Sequence, residues 1–159
     1  MATIYKYENS NLLDSNAHLI CHQVNCQGKM ASGVAKVIRE KWSIVYDKYM
    51  NICNNRQQSL GYAQFVSLSD YYHNSNQFVV NMFAQDRYGY DGNRYTNYEA
   101  FRQCCKDIVK VCKGAPEMEV LTVAMPYKIA SDRGGADWDK IMDILLEEFT
   151  DIDLTLYKL

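Results

Sequence analysis

Two segments far apart in the chain share one grammar: an apolar run, a glycine-punctuated loop, then a helix-like run. The first is His22-Gln23-Val24-Asn25-Cys26-Gln27-Gly28-Lys29-Met30-Ala31-Ser32-Gly33-Val34-Ala35-Lys36. The second is Met125-Pro126-Tyr127-Lys128-Ile129-Ala130-Ser131-Asp132-Arg133-Gly134-Gly135-Ala136-Asp137-Trp138. Two strand–loop–helix units in a chain of 159 residues point to one site that grips a phosphorylated ligand from two sides. Backbone amides in such loops, with a helix N-terminus behind them, offer donors to phosphate oxygens.

The length suits one domain spanning residues 1–159, with enough chain for a real core. A hydrophobic share of 48% reads as globular. The net charge is −2 and no basic block occurs, which excludes a non-specific nucleic-acid binder. No apolar run is long enough to span a membrane. The N-terminal residues lack a signal peptide's order, so a cytoplasmic location is expected. The six cysteines form no CxxC pair and no zinc-type array with histidine, so no metal site is expected. Reduced thiols are expected, with Cys21, Cys104, Cys105 and Cys112 as small core residues.

Along the chain, strands are expected at Thr3 to Tyr7, His18 to Val24, Gly61 to Leu68, Gln77 to Phe83, Met118 to Ala124 and Asp153 to Tyr157. The third and fourth are set for a hairpin across the polar turn around Ser69-Asp70 and His73-Asn74-Ser75. Helices are expected from Ser32 to Trp42, with Val34, Val37, Ile38 and Lys41 on one stripe, and over about Ile44 to Cys53. The longest runs from Arg94 or Thr96 to Cys112 and stops at Lys113-Gly114-Ala115-Pro116. The last runs from Asp137 to Phe149, with Asp137 as its cap and Trp138 as a core anchor. Helices between strands make an α/β sandwich with a mixed sheet.

Gly28 and Gly33 remove side chains where the first loop must turn and a ligand approach the backbone. Ser32 and Gly33 open a helix, where free N–H groups and the dipole favour an anion. Asn25 closes the second strand with a side chain able to bind ribose hydroxyls. In the second loop, Asp132 and Arg133 flank Gly134 and Gly135 and would sit over a phosphate held there. The spacing is neither a P-loop nor a dinucleotide fingerprint.

The first loop, from His22 to Ala35, resembles the first ADP-ribose loop of macro domains, and Met125 to Trp138 resembles their second. Asn81-Met82-Phe83-Ala84-Gln85, Arg94-Tyr95-Thr96-Asn97-Tyr98-Glu99 and the terminal Leu154-Thr155-Leu156-Tyr157 resemble the short single-domain branch. The resemblance covers essentially the whole chain. It implies a three-layer α/β/α sandwich around a mixed sheet of about six strands. It implies that the first loop, with Asn25, Gly28, Met30, Ser32, Gly33 and Val34, holds the distal ribose. The second, with Ser131, Arg133, Gly134, Gly135 and Ala136, wraps the pyrophosphate. Asn9 and Ser10 fall where the family contacts adenine, with Asn9 in place of the usual acid.

That branch contains ADP-ribose 1''-phosphate phosphatases and terminal ADP-ribose hydrolases. The second loop usually reads Gly-Cys-Gly where this chain has Ala130-Ser131-Asp132. The subgroup that removes ADP-ribose from acidic side chains or DNA uses a Lys at the fourth-strand end and an Asp in the second loop. Here Met82-Phe83-Ala84-Gln85 and Gly134 stand in those places. The resemblance therefore implies a phosphatase converting ADP-ribose 1''-phosphate to ADP-ribose and phosphate, with His22 and Asp132 as catalytic candidates and no cofactor. The alternatives are a module that binds ADP-ribose or a related NAD-derived nucleotide without turnover, and a hydrolase that frees ADP-ribose from a macromolecule. A monomer is expected.

Overall fold

The computed structural model describes residues 4–8, 10–28, 30, 33–54, 60–71, 76–85, 96–114, 120–131 and 135–158. Among these described residues, six strands form one sheet: β1 (Ile4–Glu8), β2 (Leu19–Asn25), β3 (Ala63–Ser67), β4 (Phe78–Gln85), β5 (Val123–Pro126) and β6 (Asp153–Tyr157). Four described α-helices flank it: α1 (Gly33–Lys41), α2 (Ser43–Asn54), α3 (Tyr98–Cys112) and α4 (Trp138–Glu148). A 3-10 turn at Leu12–Asp14 was not expected from the sequence; Asn11 caps it by accepting from the Leu13 amide.

The sheet order is β1-β6-β5-β2-β4-β3. Every neighbouring pair is parallel except β3–β4, the expected antiparallel hairpin. Ser69 and Asp70 form a turn closed by the Tyr71 amide on Leu68 O, as expected, and residues 72–75 lie outside the described residues. One face of the sheet presents Ile20, Val24, Val79 and Phe83 to Ile38, Trp42, Val45 and Tyr49 of the α1–α2 side. The other presents Leu19, Cys21, Val80, Met82, Met125 and Leu156 to Phe101, Ile108, Ile141 and Leu145 of α3 and α4. These alternating sets follow from the two-residue period of a strand. Here is the expected three-layer sandwich. Among the described residues no helix is long and apolar enough to cross a membrane.

Several boundaries differ from the sequence reading. β5 starts at Val123 and runs on through Pro126, while Met118 and Glu119, expected in it, lie outside the described residues. Val120 is exposed and Leu121 is tied back to the Cys112 carbonyl, so that part of the apolar run is connection. Val37 is 46% exposed and lies off the buried stripe of α1 that Ile38 carries. α3 begins at Tyr98 behind an Asn97 cap, whose side chain accepts from the Ala100 amide. Thr96 instead forms a bridge with Gln85 at the end of β4. Cys21, Cys104, Cys105 and Cys112 are free thiols and buried as expected. Burial drives their thiols up, Cys104 and Cys112 to about 12, so all four stay protonated and unreactive.

Candidate ligand-binding cleft between two glycine loops

The parallel strands β4, β2, β5 and β6 all end on one edge of the sheet. From β2 the chain leaves through α1 and α2 toward β3 and β4; from β5 it leaves through α4 toward β6. Neighbouring strands whose connections depart in opposite directions leave a crevice at their carboxyl ends, where open α/β sheets take ligands. β2 and β5 pair at Leu19–Val123 and Ile20–Ala124, near the starts of both strands. Both glycine loops therefore rise from this one edge.

The first loop is built from Asn25 upward. Its Oδ1 accepts from the Gln27 amide at 2.9 Å and from the Tyr49 hydroxyl at 2.8 Å. The same hydroxyl reaches the Asn25 carbonyl at 2.8 Å. Tyr49, fully buried on α2, thus fixes the orientation of the Asn25 amide. Gly28 has a left-handed backbone, φ +78°, and lies against α2: a Cβ there would stand 3.4 Å from Met50 Sδ and Cε. Gly33, φ +61°, opens α1 with nothing within 4 Å of a Cβ position. Met30 is 1% exposed and packs in the core with Trp42 and Ile38, so only its backbone can address a ligand. Val34 is half-buried against the same cluster.

The second loop closes on itself. The Ser131 amide donates to Lys128 O at 3.0 Å and the Ala136 amide to Ala130 O at 3.0 Å. Both amides therefore shape the loop instead of facing a ligand. Lys128 and Ala130 hold left-handed φ values of +60° and +70°, and Gly135 holds +66°. Asp137 caps α4, as expected, by accepting from the Asp139 amide at 3.0 Å. Its own N–H donates to the Tyr98 hydroxyl at 3.0 Å. Trp138 packs edge-on against Tyr127, ring centres 5.4 Å apart, partly buried beside the core. Asn9, Ser32, Asp132, Arg133 and Gly134 lie outside the described residues; Ser10 is exposed before the 3-10 turn.

The structure thus places Asn25, Gly28 and Gly33 at and after the end of β2, and Ser131, Gly135 and Ala136 after β5, on the same edge of the sheet. His22 is elsewhere. It stands three residues before the end of β2, about 10 Å back along the strand, paired in register with Asn81 and 1% exposed. Its Nε2–H donates to Asn81 Oδ1 at 2.6 Å. Asn81 Nδ2 donates to Gln64 Oε1 at 3.0 Å, and Gln64 Nε2 to Lys48 O at 2.9 Å. The Lys48 carbonyl can only accept, so it sets each amide in the chain and leaves the proton on Nε2. Nδ1 is buried with no partner. Burial lowers the imidazole from 6.5 to about 4, against the opposing pull of Asn81, so the ring is neutral at pH 7. In this conformation neither ring nitrogen can reach water in the cleft.

A pH effect follows. The unfolded chain binds this proton near pH 6.5 and the native one only near 4. Stability is therefore full above pH 6.5 and falls as pH drops toward 4, by about 3 kcal/mol. Urea unfolding at pH 7 and 4.5 should show this loss in the wild type and a much smaller one in His22→Gln. Equal losses in both would contradict the assignment.

Sequence reasoning missed a second polar network, on the α3–α4 face. Gln23 Nε2 donates to Thr96 Oγ1 at 2.8 Å and to Gln85 Oε1 at 3.2 Å; Thr96 Oγ1 donates to Ala130 O at 3.1 Å. Two glutamines near strand ends carried no signal, because only the tertiary fold brings them to Thr96. Among the described residues, no group of three or more His, Cys, Asp or Glu side chains is placed to hold a metal.

A family model described as Macro domain matches residues 21–145. A comparison with curated proteins finds no match. Among solved structures, the chain is similar to a protein of unknown function from Bacteroides thetaiotaomicron: 24% identity, 99% of each chain covered, TM-score 0.80. It is also similar to the macrodomain of Thermus aquaticus DarG, at 18% identity over 98% of this chain and 99% of that one, TM-score 0.75. Thermosipho africanus DarTG, solved in complex with ADP-ribose, matches at 15% identity over 97% of this chain and 41% of that one, TM-score 0.77.

Proposed function

The chain belongs to the Macro domain family, and from that premise we propose that it binds ADP-ribose or a close derivative in the cleft between its two glycine loops. The observation that carries this reading is the rise of both loops from one sheet edge, each leading to a helix N-terminus. That arrangement suits a diphosphate flanked by two riboses. The complex of a similar structure with ADP-ribose supports the ligand class. In this reading Asn25, Gly28, Ser32 and Gly33, with the Met30 backbone and Val34, hold the distal ribose. Arg133, Gly134 and Gly135 hold the diphosphate, with Ser131 and Ala136 shaping that loop. Asn9 and Ser10 meet the adenine.

The finer step we assign is hydrolysis of ADP-ribose 1''-phosphate. Water attacks phosphorus, the bond to the 1''-oxygen breaks, and the products are ADP-ribose and phosphate. Loop amides stabilise the charge that develops. Asp132 takes the proton of the attacking water and passes it to the departing 1''-oxygen, because His22 is sealed beneath the sheet surface. The same seclusion of His22 favours a second reading, capture of ADP-ribose without turnover.

Calorimetric titration with ADP-ribose, followed by phosphate release from ADP-ribose 1''-phosphate, separates the two. Micromolar binding with release, and loss of release in Asp132→Asn at unchanged affinity, supports the phosphatase. Binding without release supports capture. No binding of ADP-ribose overturns the reading.

A further inference from the structure

We propose that the Thr96 hydroxyl is the latch that holds the second glycine loop in its binding shape, and so a positioning residue for the ligand's diphosphate; this rests on the ligand class proposed above. Ala130 holds a left-handed backbone, φ +70°, that L-residues avoid. Something outside the residue must keep it there. Its carbonyl accepts twice: from the Ala136 amide at 3.0 Å, which closes the neck of the loop, and from Thr96 Oγ1 at 3.1 Å. One oxygen therefore ties both ends of the loop to the segment that starts α3.

The hydroxyl has no other use for its proton. Gln23 Nε2 fills its acceptor side at 2.8 Å, so the single hydrogen goes to Ala130 O. Thr96 is itself fixed. It is 2% exposed, bridges to Gln85, and precedes Asn97, whose amide donates to Ala84 O at 2.8 Å. Gln23 is held on Gln85 Oε1, while its own Oε1 stays buried with no partner. A buried amide oxygen with its bond unmade is rare and calls for a reason. Here the reason is the neighbouring hydroxyl under the second loop.

The test uses the full chain and two independent readouts. In the absence of ligand, Thr96→Val should speed hydrogen exchange of the Ala136 amide at least about tenfold, because the carbonyl it bonds is released. The same variant should bind ADP-ribose about tenfold more weakly, whereas Thr96→Ser, which keeps the hydroxyl, should restore both. Exchange at the wild-type rate in Thr96→Val overturns the latch. Faster exchange with undiminished ADP-ribose affinity overturns its positioning role. Should Thr96→Val not fold, Gln23→Met loosens the hydroxyl instead, and an unchanged Ala136 exchange rate there overturns the latch equally. Failure of the wild type to bind ADP-ribose is a separate result: it removes the ligand reading and leaves the exchange readout to decide the latch.

Discussion

Asn81→Leu should cost the fold about 3 kcal/mol or more. Asn81 is fully buried on β4 and mediates the polar chain from His22 to the Lys48 carbonyl. Leucine has a similar volume, so little of the cost comes from packing. The cost comes from what is left behind: the His22 Nε2–H and Gln64 Oε1 both lose their partner inside the sheet–α2 layer. Each orphaned buried group costs about 1–3 kcal/mol. The asymmetry gives a sharper test. Removing both ends of the strongest contact, in His22→Leu with Asn81→Leu, should recover part of the loss, since an apolar pair carries no unmet bond. Urea unfolding of the two single variants and the double variant measures this coupling. An Asn81→Leu protein within about 0.5 kcal/mol of the wild type would contradict the network, being no more than an ordinary surface change.

The second large effect falls on the ligand. Gly28→Val should weaken ADP-ribose binding at least about thirtyfold, roughly 2 kcal/mol. A valine in the left-handed region costs about 1–2 kcal/mol. Its Cβ would also stand 3.4 Å from Met50 Sδ and Cε, and its γ-methyl groups would crowd α2 further. The loop would escape by rotating out of its present shape, and binding would have to restore it. Gly33→Ala isolates the conformational part, because nothing lies within 4 Å of the added Cβ. It should weaken binding by a smaller factor, near tenfold. Calorimetry on both variants reads the two contributions. Wild-type affinity in both would mean that the ligand does not use the backbone of the first loop.

Much of this architecture could be read from the residues, for local reasons. Gly28 and Gly33 mark the turns of the first loop, and both adopt the left-handed backbone that glycine takes freely. Asp137 sits where a cap belongs and caps α4. The strand from Asp153 to Tyr157 has the expected bounds. What escaped the sequence was whatever depends on long-range register. His22 opens the first glycine segment and stood as a catalytic candidate, but β2 runs on to Asn25 and its alternation turns His22 toward Asn81 and α2. Met30 looked like a loop residue open to a ligand, and the core claims its side chain. Val37 fits a helical stripe by spacing yet falls outside the arc that faces the sheet. Thr96 looked like helix and is instead the bridge beneath the second loop.

The central claim is that the two loops, distant in sequence, hold one nucleotide diphosphate together. Amide hydrogen exchange measured with and without ADP-ribose tests it most directly. The account predicts slower exchange in both Asn25–Gly33 and Ser131–Ala136 at the same ligand concentration, with the β3–β4 hairpin unchanged. Protection confined to one loop, or appearing at another surface, would contradict it.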